Sequence, residues 1–148
     1  MAKQSNVPGF VRLGNMLTTT MLRAGVKLAG FGYPMYLLTV RGRKSGQPRT
    51  VPIVIIEQKG RRYVSSPYGI VDWVRNLRAA GAATLTRGRR SETVSVRELP
   101  PNEAARVLQE NFRRGNPFAR YFGVTAESSL EEFERAAIGH PVFVFEGQ

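Results

Sequence analysis

The sequence predicts an α+β fold whose antiparallel sheet curls into a small barrel. Apolar segments at 35–40, 50–57, 61–66, 83–86, 90–98 and 141–145 read as strands, and tight turns join several of them. One helical stripe precedes these strands, one interrupts them and two lie near the end, so helices are inserted into a mostly antiparallel sheet. The 148 residues, 42% hydrophobic, suffice for a single domain over 1–148 with a substantial core.

Residues 1–9 read as a tail ending at Pro8-Gly9. Over 10–30, Phe10, Leu13, Leu17, Met21, Ala24 and Leu28 recur at helical spacing, with Arg12, Arg23 and Lys27 largely off the stripe. Two readings fit this N-terminal helix. It packs on the core, or it is a basic amphipathic helix that rests on an anionic membrane or covers a ligand pocket. Core strands then run over 35–146. In the second strand, 51–56 is continuously apolar, which suggests that both faces are covered, and Pro52 belongs at an edge or strand start. Gln58-Lys59-Gly60 makes a tight turn. A short helix over 72–80 has Asp72 as cap and Gly81 as stop. Arg87-Gly88-Arg89 turns a hairpin that sends Val94 and Val96 inward. Pro100-Pro101 opens a helix with Ala104, Val107, Leu108 and Phe112 inward, and Gly115-Asn116-Pro117 breaks it. Phe118, Tyr121 and Phe122 form an aromatic cluster suited to a core or to a binding surface. An acid-rich helix follows from Ser128/Ser129 to Ala137, and His140, read as structural, precedes the last strand.

Between the first two strands lies Arg41-Gly42-Arg43-Lys44-Ser45-Gly46-Gln47-Pro48-Arg49, a cationic turn held at both ends. Arginine forks and a lysine point charge suit a phosphate or a run of carboxylates, and a solvated hairpin turn is the bland alternative. The net charge of +11 asks for an anionic partner. Lys and Arg are spread along the chain rather than gathered on one element, which argues against nucleic acid. Without cysteine, and with His140 as the sole histidine, thiol nucleophiles, zinc-thiolate centres and multi-histidine metal sites are excluded, so no metal site is expected. An enzyme built from this chain would take its chemistry from a cofactor. The first residues lack a signal-peptide core, and no apolar run approaches the ~20 residues of a membrane span, so a cytoplasmic location is expected.

Leu37-Leu38-Thr39-Val40 running into Gly42–Arg49, followed by Pro52, resembles the signature of the deazaflavin (F420)-dependent nitroreductase family, an actinobacterial group of oxidoreductases. Trp73-Val74-Arg75-Asn76-Leu77-Arg78-Ala79 resembles its second signature at a matching separation. The resemblance implies a split β-barrel of the FMN-binding, pyridoxamine-phosphate-oxidase-like type. It implies coenzyme F420 as cofactor, with Arg43, Lys44, Ser45, Gly46 and Arg49 on its phosphate and glutamate tail. Pro52 and Val54 would lie along the cofactor, and Ser65, Ser66, Gly69, Trp73 and Val74 would lie near its ring. Phe118, Tyr121 and Phe122 would face substrate, and Tyr68, Ser66 and Tyr121 are candidate proton donors. Where the family often has a lysine and paired glycines, this chain has Pro67-Tyr68-Gly69, so remodelled ring binding is expected. The implied reaction is hydride transfer from reduced F420 to a small hydrophobic, electron-poor acceptor such as a quinone, enone, unsaturated lipid or nitroaromatic. The alternatives are an F420 carrier without turnover, or a protein that binds FMN, whose single phosphate needs fewer cations.

Overall fold

The computed structural model describes residues 29, 30 and 33–147. The tail over 1–9 and the N-terminal helix up to residue 28 lie outside the described residues. Ala29 and Gly30, expected to end that helix, instead form a short strand β1, paired with the start of β2 (Tyr33–Arg41). The other strands are β3 (Pro48–Val54), β4 (Ile56–Gln58), β5 (Arg61–Ser65), β6 (Ala82–Arg87), β7 (Arg90–Glu98) and β8 (Val142–Gly147). Helix α1 (Asp72–Ala80) lies between β5 and β6, and α2 (Pro101–Arg114) and α3 (Leu130–Gly139) lie between β7 and β8.

All pairings are antiparallel, in the order β1-β2-β6-β7-β8-β5-β4, with β3 on β2. The apolar run expected as one strand over 50–57 is broken at Ile55. Before that residue the chain pairs with β2, and after it with β5. The Ile55 N–H still donates to Pro34 O at 2.9 Å, so the bend loses no buried donor. Through this residue the two ends of the sheet are joined, and the sheet curls into the expected split barrel. Among the described residues β3 pairs with β2 alone, so Pro52, which lacks an N–H, sits in an edge strand. Lys59 (φ 51°) and Gly60 (φ 77°) join β4 to β5 with both residues in the left-handed region, as the common two-residue hairpin turn requires.

Two cores share the sheet. Leu38, Val40, Ile53, Ile55, Val64, Leu85, Val94, Phe143 and Phe145 fill the barrel interior, which Val71, just before α1, and Val74 and Leu77 of α1 close. Ile56, Tyr63, Val142 and Val144 point the other way, against α2, α3 and Phe122. The alternation of β8 therefore feeds both cores, which is why its sequence is continuously apolar. The same holds at Ile55-Ile56 but not along the whole 51–56 run, because Pro52 and Val54 on the outer face are only half-buried. Val96, expected inward, is half-buried against the barrel core. Ser129 caps α3 in a capping box with Glu132. Among the described residues, no helix is long and apolar enough to cross a membrane.

Candidate functional site

The loop over residues 42–47 is a closed turn. Gly42 N–H donates to Gln47 O at 2.8 Å, Gly46 N–H donates to Gly42 O at 2.9 Å, and Ser45 Oγ accepts from Gln47 N–H at 3.1 Å. A side chain at Gly42 would stand 2.9 Å from Ser45 Oγ and 3.1 Å from Gln47 O, so only glycine lets the turn close this tightly.

Arg43, expected on the cofactor phosphate, is instead turned onto α1. Its backbone N–H and Nη1 both donate to Asn76 Oδ1, at 3.1 and 2.7 Å, and Nη2 lies 3.5 Å from Asp72 Oδ1. Asn76 is 95% buried, because only 5% of its surface is accessible, and this clamp satisfies its carbonyl. Asp72, expected as the helix cap, is instead the first helical residue. Val71 holds the cap position, and the Asp72 carboxylate lies between Arg43 and Arg75. The clamp leaves Lys44, on the fixed loop, and Arg49, at the start of β3, as exposed cations with no ion pair among the described residues. Beside the loop, on the outer face of the sheet, a groove of about 320 Å³ is lined by Thr39, Arg41, Gly46, Pro48, Thr84 and Thr93, among others. Pro52 and Val54 share the strand face of Pro48, since alternate residues of β3 point the same way.

From the start of α1 the chain leads back through a second tight turn. Gly69 N–H donates to Ser66 O at 3.3 Å, and the Ser66 hydroxyl donates to Gly69 O. Ser66 and Val74 are fully buried, the latter inside the barrel core, so neither side chain reaches the surface. Ser65 is half-buried at the end of β5, opposite Val142. Trp73 is half-buried, its ring 6.3 Å from Phe143.

Tyr68, at the tip of this turn, meets the segment after α2. Its ring centroid lies 4.8 Å from Tyr121 and 6.3 Å from Phe118, both edge-on. Burial, and then the neighbouring Tyr121, push the Tyr68 phenol above the ordinary tyrosine value of 10.0. Arg120 Nη2 donates to the Tyr121 hydroxyl at 2.9 Å, and its guanidinium lies over the same ring. Phe122, expected to face substrate, is buried in the second core, 5.3 Å from Phe112 and 4.8 Å from His140 between ring centroids. Phe118 and Tyr121 are thus brought to Tyr68, and Phe122 is not. Sequence reasoning also missed the clamping roles of Asn76 and Asp72 and the contact of Arg120. The signal for Asn76 was present: it is a lone amide beside the Trp73–Leu77 stripe of α1, and such a group, once buried, needs a partner.

The family described as F420H(2)-dependent quinone reductase matches residues 14–127. The chain belongs to this family. An F420-H2 dependent reductase of known structure, FDR-A, is similar with a TM-score of 0.54 and 24% identity, over 76% of this chain and 93% of that one. A structure described as a domain-swapped dimer is similar at 0.57 and 23%, over 93% of this chain and 97% of that one. A protein from Bacteroides thetaiotaomicron, described in connection with 5-nitroimidazole antibiotic resistance, is similar at 0.54 and 12%, over 81% of each chain. At these identities the likenesses carry the fold alone. A comparison with curated protein sequences finds no match.

As a member of the F420H2-dependent quinone reductase family, the chain is an oxidoreductase whose cofactor is coenzyme F420 and whose acceptors are quinone-type. The residues present fit such a cofactor. F420 combines a phosphodiester and several carboxylates with a flat ring. The chain offers exposed cations, without ion pairs among the described residues, on and beside a clamped loop and, ahead of α1, half-buried aromatic side chains.

Proposed function

We propose that Lys44 and Arg49 hold the phosphodiester and the first carboxylates of F420, while Arg41 and the threonine hydroxyls of the adjoining groove receive the rest of the glutamate tail. Gly46 and Ser45 shape the loop, and Arg43 positions it. Pro52 and Val54 flank the groove side, and Trp73 with the backbone of 66–69 flanks the ring. Tyr68, Phe118 and Tyr121 form the acceptor end. The observation that carries this reading is the Arg43–Asn76 clamp, which ties the exposed cations to the helix whose start leads back to Tyr68.

Reduced F420, when bound, supplies the hydride. The chain's own residues orient the reactants and handle the proton. The Tyr68 phenol, neutral at its ordinary value of 10.0 and raised further by burial, retains a proton through the physiological range, and it can donate that proton to an oxygen that becomes basic on reduction. The Tyr121 oxygen already accepts from Arg120, so its own O–H is directed away from that guanidinium and is a second donor. Quinones, with two reducible oxygens, suit this pair. Enones, unsaturated lipids and nitroaromatics are the further acceptors to screen.

The test is a titration with oxidised F420 followed by Trp73 fluorescence, repeated by calorimetry and beside a matched FMN titration. Lys44→Ala and Arg49→Ala are each expected to weaken F420 binding about tenfold, the worth of one charge-assisted contact near 1.4 kcal/mol, and to leave thermal stability unchanged. Tighter binding of FMN, or affinity insensitive to both substitutions, refutes the assignment. Oxidation of bound F420H2 on adding a quinone separates an enzyme from a carrier. The basic stretch 10–29 is proposed to touch an anionic membrane surface, and co-sedimentation with anionic liposomes, with and without residues 1–29, tests that contact.

A further inference from the structure

The sole histidine lies away from the cationic loop, between the two segments that carry the tyrosines. His140 is the C-cap residue of α3, two positions before β8, so its backbone is fixed by elements packed in the second core. Its Nδ1 lies 3.0 Å from Ser66 O. A carbonyl oxygen can only accept, so Nδ1 carries a proton and donates. Ser66 O thereby accepts twice, from His140 and from Gly69 N–H, at the base of the turn that carries Tyr68. The face of the same imidazole packs on Phe122, 4.8 Å between ring centroids and tilted by 39°. Phe122 adjoins Tyr121, and Tyr121 lies against Tyr68 at 4.8 Å.

We propose that His140 is a positioning residue that braces the 66–69 turn against the 118–122 segment, and so fixes the placement of Tyr68 against Tyr121. Its two contacts are chemically separate: the nitrogen holds one segment and the ring holds the other. Both segments lie outside the sheet and the α-helices, and such stretches shift readily unless tied to a rigid element. The functional consequence rests on the reading that this tyrosine pair forms the acceptor end. The brace itself does not.

Three variants separate the two contacts. His140→Asn keeps a donor near the Nδ1 position without the ring, His140→Phe keeps the ring without the donor, and His140→Ala removes both. Amide exchange of the 66–71 stretch in the ligand-free protein is expected to rise about tenfold in Phe and Ala and to stay near wild type in Asn. The alkaline titration of the Tyr68 phenol, read by tyrosinate absorbance with Tyr68→Phe as the reference, is expected to fall towards 10.0 in Ala. With F420H2 and menadione, kcat is expected to drop about tenfold in Phe and Ala, with the KM for F420H2 within about twofold and partial recovery of kcat in Asn. Unchanged 66–71 exchange in Phe overturns the brace, as does a kcat loss that merely follows melting temperature across all three variants. Should the wild type itself not reduce menadione, the functional reading fails, while exchange and phenol titration still decide the brace.

Discussion

Removing the Asn76 carboxamide should loosen the cationic loop by an amount that follows from its contacts. Asn76→Ala leaves two donors of Arg43 without their acceptor, a backbone N–H and a guanidinium N–H. A neutral hydrogen bond contributes about 1 kcal/mol and a charge-assisted one about 1.5–3 kcal/mol. Alanine's better helix propensity returns about 0.5 kcal/mol. The net loss is therefore about 2–3.5 kcal/mol, read from urea unfolding with an unchanged m-value. Arg43→Ala keeps the backbone bond, and its side chain is 21% exposed, so it should lose only about 1–2 kcal/mol. The double variant should lose less than the sum of the two by about 1 kcal/mol, the coupling of the side-chain bond alone. F420 affinity should fall in both single variants, although neither residue is assigned a contact with the cofactor. A loss below about 0.5 kcal/mol in Asn76→Ala, or strict additivity in the cycle, would refute the clamp.

Gly42→Ala places a methyl group against Gln47 O and Ser45 Oγ, so the loop should open. F420 affinity should fall about tenfold by titration, while the melting temperature moves little. Tyr68→Phe should flatten the alkaline limb of stability. With the folded-state phenol held above 10.0, its contribution is complete below that pH and is lost as the pH rises through the raised value, a dependence that chemical denaturation can follow and that phenylalanine lacks. Phe122→Ala should cost about 3–4 kcal/mol in unfolding experiments and leave the KM for quinone close to wild type, the reverse of what a substrate-facing side chain would do.

Local patterns were legible wherever neighbours in sequence decide the outcome. Helix α1 was expected over 72–80 and observed over Asp72–Ala80, because an amphipathic stripe and a terminal glycine are local features. The hairpin about Gly88 and the existence of the acid-rich helix were legible for the same reason. The absence of cysteine, the lone histidine and the cationic turn likewise set the class of chemistry before any fold was known.

Long-range contacts decided the rest. Which neighbour takes the guanidinium of Arg43 depends on α1 packing beneath the loop, and Asn76 lies 33 residues away. Phe118, Tyr121 and Phe122 look alike in sequence, but the short helical turn over Ala119–Tyr121 sends two of them to Tyr68 and the third into the core. The run through Ile55 reads as one strand because apolar residues on either side of a change of partner give no local sign of it. Composition and periodicity depend on each residue's immediate neighbours, so the chain alone determined most of its elements and its call for an anionic partner. Only tertiary packing could determine which cations are free to meet it, since a charge is free or engaged according to what the fold brings beside it.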